Sequence, residues 1–368
     1  MVGSMGEVHR FTTRVGNDEI VIETGKLAEQ AGGAVTVQLG QTLVFATATM
    51  SKRAREGIDF FPLSVDFEEK LYAAGRIPGS FFRREGRPSE QAILNSRVID
   101  RPLRPLFPEN MRNEVQVILT AFSHDQEHQI DMLGVIAASA AIMISNIPWN
   151  GPIAGVRIGL IDGELVVNPT IPMMADSLLD LRVAGTAEAI NMVECAAKEV
   201  DEETMLRALK LAHDSMQPII QLQLEMQAKI GKPKGVPITT TLDEALVAEV
   251  TEKSRQGVRD IIAATTDRAG RNEALDELRE VIVSGYLPTE EDEESIGRAR
   301  PGDVREVFSN VISAEVRRRI VEDGVRPDGR SVTEIRPLAA EVGVIPRVHG
   351  SGLFKRGQTQ VLTIATLA

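Results

Sequence analysis

The sequence has little cysteine and no long apolar run, and both shortages exclude classes of protein. Its single cysteine, Cys195, excludes an internal disulfide framework and a cluster of thiolate metal ligands. No apolar run is long enough to span a membrane, and residues 1–10 lack the basic-then-apolar pattern of a secretory signal. We therefore expect a cytoplasmic protein with no membrane partner. The phosphate-loop pattern GxxxxGK[ST] and the hydrolase pattern GxSxG are also absent.

Positive charge is scarce overall, but it is concentrated in one stretch. The 368 residues carry a formal net charge of −12, so the molecule as a whole should repel nucleic acids. Residues 76–104 nevertheless hold seven arginines against three acidic residues, with no lysine. Any polyanion must therefore bind at a local basic patch, and this stretch is the first candidate.

Alternating or β-branched apolar residues predict several strands in the first part of the chain. The predicted strands are 19–23, 34–38, 42–50, 114–121, 153–161, 165–167 and 178–184. Gly40 and the pair Asp162-Gly163 are expected to form hairpin turns. Sheets built from such hairpins need helices or a second sheet to cover them.

Helical spacing predicts the elements that cover those sheets. Helices are expected at about 89–99, 132–144 and 202–228. Ser89 is the expected N-cap of the first, with Ile93, Leu94 and Val98 as its apolar stripe, and Asp131 the expected cap of the second. Hairpins mixed with packed helices predict an α+β layer fold.

Composition changes near residues 231–235, which we interpret as a linker. Residues 240–316 are helical in pattern and acidic, and the run 290–294 has no apolar residue and is expected to be a solvated loop. Helical periodicity returns at 304–321, and strand patterns follow Gly324.

An internal repeat links the two ends of the chain. Residues 39–50 read LGQTLVFATATM and residues 356–368 read RGQTQVLTIATLA, and the offset of 317 that aligns them also aligns Gly33 with Gly350. The repeat predicts that a second copy of the first domain begins near residue 325 and breaks off about one hairpin later. We therefore expect a truncated chain.

The loop from Gly79 to Pro88 is the sharpest local feature. Two adjacent rings, Phe81 and Phe82, stand beside Arg83, Arg84 and Arg87. Rings can stack on bases and guanidinium groups can bind phosphates, a combination suited to single-stranded nucleic acid. The alternative is that one ring belongs to the core and the arginines form surface ion pairs.

Other candidates carry less information. Arg76, Arg101 and Arg104 could extend the basic surface, or Arg101 and Arg104 could be structural partners of Asp100 and Asp66. A second set has the residue types and spacing of a metal site, although Asp131 is better explained as a helix cap. That set is His124, Asp125, His128 and Asp131.

Several of these motifs match a known family. The runs FFRREGRPSE, SRVIDRPLRPLFP, DMLGVIAASAA and VEDGVRPDGR closely resemble bacterial polynucleotide phosphorylase, in the right order and over nearly the whole chain. The resemblance implies two ribonuclease PH-like cores joined by an all-helical domain. It places the first core at 8–232, the helical domain at 240–318 and the start of the second core at 325–368.

The resemblance also implies a function. Family members form a trimeric ring that degrades single-stranded RNA from its 3′ end, using inorganic phosphate as co-substrate and Mg²⁺ as cofactor, and take part in messenger RNA turnover with the RNA-degradation machinery. RNA contacts at the channel constriction then fall on Phe81, Phe82, Arg83, Arg84 and Arg87. No catalytic residue or metal ligand is assigned in this chain, because the family's lie in the second core, beyond residue 368. The alternatives are an RNA-binding and assembly fragment without turnover, and a metal hydrolase using His124 and His128.

Overall fold

The structure, a computed structural model, describes residues 7–54, 60–79, 81–239, 242–287 and 299–367. It divides into unit 1, Met1–Thr240, and unit 2, Thr241–Ala368. The predicted solvated loop at 290–294 lies outside the described residues. Within the described ranges, no helix combines the length and apolar character needed to cross a bilayer.

A six-stranded sheet forms one layer of unit 1. Its strands are β1 (His9–Val15), β2 (Asp18–Thr24), β3 (Gly33–Leu39), β4 (Thr42–Ala54), β5 (Leu63–Glu69) and β6 (Asn113–Ser123). The spatial order is β1-β2-β3-β4-β6-β5, and only the β5–β6 pair is parallel. The predicted strands at β2, β3, β4 and β6 are confirmed, whereas β1 and β5 were not predicted.

A four-stranded antiparallel sheet forms a second layer, in the order β10-β9-β7-β8. Its strands are β7 (Ala154–Ile161), β8 (Glu164–Val167), β9 (Leu179–Gly185) and β10 (Ile190–Ala197). Asp162 and Gly163 both have positive φ, at 51° and 82°, as a tight hairpin turn requires. The predicted turn is confirmed, and β10 is an additional strand.

Helices pack on and between these sheets. They are α1 (Glu90–Leu103), α2 (Ile130–Ile144), the short α3 (Ile171–Met174) and α4 (Glu202–Ile230). Every residue of α2 after Ile130 is buried, and this helix contacts strands of both sheets. Gly33 permits the approach, because a Cβ there would lie 2.1 Å from the carbonyl oxygen of Ala141. The predicted α+β fold class is confirmed.

Two details of the helix predictions were wrong. The N-cap of α2 is Gln129, and Asp131 instead pairs with Arg182 at 3.0 Å and with Arg157 at 3.5 Å. In α1, Ser89 does accept the cap hydrogen bond, but Ile93 and Leu94 are 52% and 50% exposed. The buried side of α1 is instead formed by Ala92, Asn95, Val98, Ile99, Pro102 and Leu103.

The predicted linker is fastened to unit 1. Lys234 donates to the carbonyl oxygens of Ile142, Met143 and Ser145 at 2.8, 3.0 and 3.0 Å, at the C-terminal end of α2. Burial lowers the pKa of Lys234 to about 8. Residues 231–238 contain neither helix nor strand, yet these bonds hold them in place.

The described residues of unit 2 form three helices followed by three strands. They are α5 (Glu244–Ala264), α6 (Arg268–Ser284), α7 (Pro301–Glu322), β11 (Leu338–Val342), β12 (Gly350–Arg356) and β13 (Thr359–Ala365). Two apolar clusters join the helices. Glu315 is buried beside them, and its hydrogen bond from Arg259, at 2.7 Å, contributes most to lowering the pKa of its carboxyl.

The sequence repeat is also a structural repeat. Strand β3 pairs with β4 from Gly33↔Ala48 to Leu39↔Thr42, and β12 pairs with β13 from Gly350↔Ala365 to Arg356↔Thr359. The two hairpins therefore have the same register at the offset of 317. Their surroundings differ, because β3 and β4 are covered by α2 whereas every residue of β13 is exposed.

Candidate functional site

The loop before α1 presents two aromatic rings to solvent. Phe81 is 94% exposed and Phe82 is 75% exposed, with ring centroids 5.6 Å apart in an edge-to-face arrangement. Exposed rings of this size are unusual in a protein that gains stability by burying them. The alternative that one ring belongs to the core is therefore excluded. Ser80, beside them, lies outside the described residues.

The arginines of the loop are exposed too. Arg83 has a left-handed φ of 52° and donates to the carbonyl oxygen of Pro78 at 3.2 Å. Among the described residues, no carboxylate forms an ion pair with Arg83, Arg84 or Arg87. The one acid of the loop, Glu85, accepts the backbone N–H of Leu71 at 3.0 Å. The guanidinium groups therefore keep their charge available for a ligand.

A cavity of about 490 Å³ lies next to the loop, and Arg76 and Arg87 both line it. Its other charged residues are Glu68, Glu69, Lys70 and Glu85. A 2.6 Å contact joins Lys70 to Glu68, whose hydrogen bond raises the pKa of Lys70. The structure thus brings Arg76 together with a loop arginine, in surroundings of mixed charge.

Arg101 and Arg104 line a different cavity, of about 770 Å³, on the face of α1. Arg104 forms two hydrogen bonds with Asp100, at 2.8 and 2.5 Å, so its structural interpretation is confirmed. Arg101 pairs at 3.0 Å with Glu194, a partner that the sequence did not indicate. Arg97 lines the same cavity, is exposed and has no ion-pair partner among the described residues.

The segment 124–128 forms a hydrogen-bonded clamp on the β3–β4 turn. Asp125 accepts the N–H of Gln41 and the hydroxyl of Thr42 at 2.9 Å, and its carboxylate lies 2.7 Å from Nδ1 of His128. Burial alone would raise the pKa of Asp125, but hydrogen bonds led by the N–H groups of His128 and Glu127 hold it well below its usual range. In the described ranges, no three His, Cys, Asp or Glu side chains are placed to hold a metal ion.

Comparisons with known proteins match this architecture. Models of the 3′ exoribonuclease family match residues 18–148 as domain 1 and 151–215 as domain 2, together more than half of the chain. A model of the polyribonucleotide nucleotidyltransferase RNA-binding domain matches residues 245–331. A solved chain from an Archaeoglobus fulgidus exosome with RNA bound to the active site is 17% identical, with a TM-score of 0.44, over 61% of this chain and 89% of that chain.

Curated relatives are far more similar. Polyribonucleotide nucleotidyltransferases of Herpetosiphon aurantiacus and Roseiflexus castenholzii are 49% and 50% identical over 98% of this chain, covering 46% and 48% of their own lengths. That of Exiguobacterium sibiricum is 47% identical over 97% of this chain and 48% of its own length. The domain matches define a 3′ exoribonuclease-type protein. The chain belongs to the polyribonucleotide nucleotidyltransferase family, as an N-terminal part, and spans about half the length of these relatives.

Proposed function

We propose that this chain is the RNA-gripping front part of an enzyme that degrades single-stranded RNA from the 3′ end by phosphorolysis, releasing nucleoside diphosphates. In this proposal Phe81, Phe82, Arg83, Arg84 and Arg87 hold the RNA, and Arg76 extends the contact. Catalytic residues are supplied by sequence outside this chain. The proposal also takes residues 8–232, 240–318 and 325–368 as the first core, the helical domain and the start of the second core.

The exposed rings of the loop are the observation that carries this proposal. Stacking of a base on an aromatic ring contributes about 1–3 kcal/mol and does not depend on base identity. The guanidinium groups of Arg83, Arg84 and Arg87, which form no ion pair with a described carboxylate, supply the phosphate contacts. An enzyme that shortens RNA of any sequence needs contacts of this kind, because the nucleotide at the loop changes after every cycle.

The family's cofactor and co-substrate are Mg²⁺ and inorganic phosphate. The described residues do not fit a magnesium site, because no three acidic or imidazole side chains converge and the Asp125 carboxylate is occupied by internal hydrogen bonds. We therefore derive no metal-assisted or phosphoryl-transfer step from the described residues. A homotrimeric ring, a cytoplasmic location and a role in messenger RNA turnover with the degradation machinery belong to the same proposal.

Fluorescence anisotropy with a labelled single-stranded oligoadenylate tests the grip. The variant Phe81→Ala, Phe82→Ala, Arg83→Ala, Arg84→Ala should bind at least about thirtyfold more weakly, given about 1 kcal/mol for each ring and the loss of two phosphate contacts. Arg10→Ala with Arg14→Ala is the matched control, because it removes two exposed charges from β1. Equal binding by the loop variant and the control would refute the assignment.

Analysis of the reaction products distinguishes a catalytically active chain from a non-catalytic RNA-binding fragment and from a metal hydrolase. With phosphate and magnesium, RNA binding by this chain without release of nucleoside diphosphates agrees with a non-catalytic front part, or with an assembly fragment. Diphosphate release by the 368-residue chain alone would show that catalytic residues lie within it. Phosphate-independent release of monophosphates would instead favour the hydrolase alternative.

A further inference from the structure

Unit 2 contains a cavity of about 870 Å³ in whose lining arginine is the most frequent residue. It lies between the α5–α6 connection and residues 326–359. Its basic residues are Arg268, Arg271, Arg326, Arg330, Arg336 and Arg356. The acids among its described lining residues are Asp267, Asp328 and Glu334. The local excess of positive charge is notable in a chain whose net charge is −12.

Each of the three acids has at least one contact within the protein, although Oδ1 of Asp328 is buried with no hydrogen-bond partner among the described residues. Oδ2 of Asp328 lies 3.0 Å from Nε of Arg330 and 3.4 Å from Nε of Arg336, so those two arginines share one carboxylate. Asp267 caps helix α6 through the N–H of the residue three positions later, at 2.8 Å. Glu334 accepts the N–H of the residue three positions earlier, at 3.3 Å. None of these carboxylates offsets the other four arginines through an ion pair.

Those four arginines have no carboxylate partner among the described residues. Arg268 and Arg356 are exposed. Arg271 donates to the carbonyl oxygen of Pro327 at 3.0 Å, and Arg326 donates to that of Val332. Backbone bonds of this kind fix the position of a guanidinium group without neutralising it. Fixed, charged guanidinium groups around an open cavity are suited to phosphate oxygens.

The residue types that line the cavity and the volume of the cavity limit which ligands it can bind. No aromatic ring is among the described residues that line the cavity, so it offers no stacking surface for a base. Its volume is at the upper end for small-molecule pockets, which gives room for a length of sugar-phosphate backbone. The matched RNA-binding domain model, residues 245–331, includes the lining residues from Thr266 to Arg330.

We propose that this cavity binds the phosphodiester backbone of single-stranded RNA, as a second contact besides the loop at Phe81. The inference rests on the proposed function for its ligand, but it assigns that ligand to a different unit and to different residues. The loop recognises bases by stacking, whereas the cavity recognises only phosphates.

Salt-dependent RNA binding by the 368-residue chain tests the cavity. The variant Arg268→Ala, Arg356→Ala removes two side chains that are exposed and form no ion pair with a described carboxylate, so we expect the variant to fold. Its dissociation constant should rise about tenfold, and the slope of log K against log salt should fall by about 1.4, at about 0.7 for each lost phosphate contact. The matched control is Arg317→Ala, Lys355→Ala, two exposed cations of unit 2 that do not line the cavity. It should change the dissociation constant by less than about twofold.

Cross-linking with thiouridine-substituted RNA keeps the two proposals distinguishable. Cross-linked peptides that contain residues 266–271 or 326–336, lost in the double variant but not in the control, support the cavity. Cross-links confined to the 81–87 loop, or equal binding by double variant and control, overturn the cavity and leave the loop standing. Cross-links in the cavity with none in the loop would overturn the loop assignment and leave the cavity proposal standing. If calorimetry detects inorganic pyrophosphate in the cavity but RNA does not cross-link there, the site takes small phosphate ligands and the RNA proposal is wrong.

Discussion

Replacing Asp125 by asparagine tests whether residues 124–128 form a structural clamp. Each donor to this carboxylate lies within 2.9 Å, and all five come from the β3–β4 turn, including the first residue of β4, or from residues 124–128 themselves. The donors are the N–H groups of Gln41, Glu127 and His128, the Thr42 hydroxyl and the His128 ring. The substitution keeps the shape of the side chain and removes its charge and one acceptor.

The expected loss of stability in Asp125→Asn follows from the bonds that each of the two carboxylate oxygens accepts. The asparagine oxygen can keep the three bonds that Oδ1 now accepts, two of them from backbone N–H groups. The amide nitrogen replaces Oδ2 and faces the N–H of Gln41, whose bond is lost, and the ring of His128, which must change tautomer to accept. One lost bond to a charged acceptor and several weakened ones give a loss of about 2–4 kcal/mol in the free energy of unfolding.

Urea unfolding followed by tryptophan fluorescence measures this loss. Trp149 is the only tryptophan and is buried in the core of unit 1, so its emission reports that unit. Asp214→Asn is the control, because Asp214 pairs with Lys210 on the surface and should contribute less than about 0.5 kcal/mol. Equal effects of the two substitutions would refute the clamp. So would a chelator that destabilises the wild-type chain as much as Asp125→Asn does, because it would show a bound metal.

The close approach of β3 to α2 and the carboxylate of Asp125 each give one further prediction. Gly33→Ala should lower the free energy of unfolding by at least about 2 kcal/mol, since its Cβ would meet the carbonyl oxygen of Ala141 at 2.1 Å. Gly350→Ala, at the matching position of the repeat, would make only an ordinary 3.5 Å contact with Ala365 and should leave the circular-dichroism melting curve unchanged. The pKa of Asp125 is depressed in the folded state, so its stabilisation is present above about pH 4 and is lost as pH falls further. The stability difference between wild type and Asp125→Asn should therefore shrink in urea titrations at decreasing pH, and a constant difference would contradict that assignment.

Sequence patterns predicted the elements whose residues respond to immediate neighbours. The hairpin turns at Gly40 and Asp162-Gly163 were confirmed because a positive φ strongly restricts the residue types that can occupy it. The Ser89 cap was confirmed for a similar reason, since an N-cap is a contact within one turn. The offset repeat correctly predicted a second hairpin with the same register.

Sequence patterns were less informative where a side chain could be either buried or exposed, or could pair with more than one partner. Ile93 and Leu94 are as apolar as Val98, but the side of α1 that faces β5 and α2 is set by packing. Asp131 has the right residue type for a helix cap, yet two arginines from the second sheet reach it. Arg101 forms an ion pair with Glu194, which is distant in the sequence, and not with a nearby acid.

The two candidate sites differ in the same way. By itself the sequence determined the loop, because Phe81, Phe82 and three arginines lie within one short segment. Only the tertiary structure assembled the arginine cavity, whose side chains come from a helix start, a turn and a strand between residues 268 and 356. A linear sequence records which charges exist, whereas folding decides which carboxylates approach them and which guanidinium groups remain unpaired.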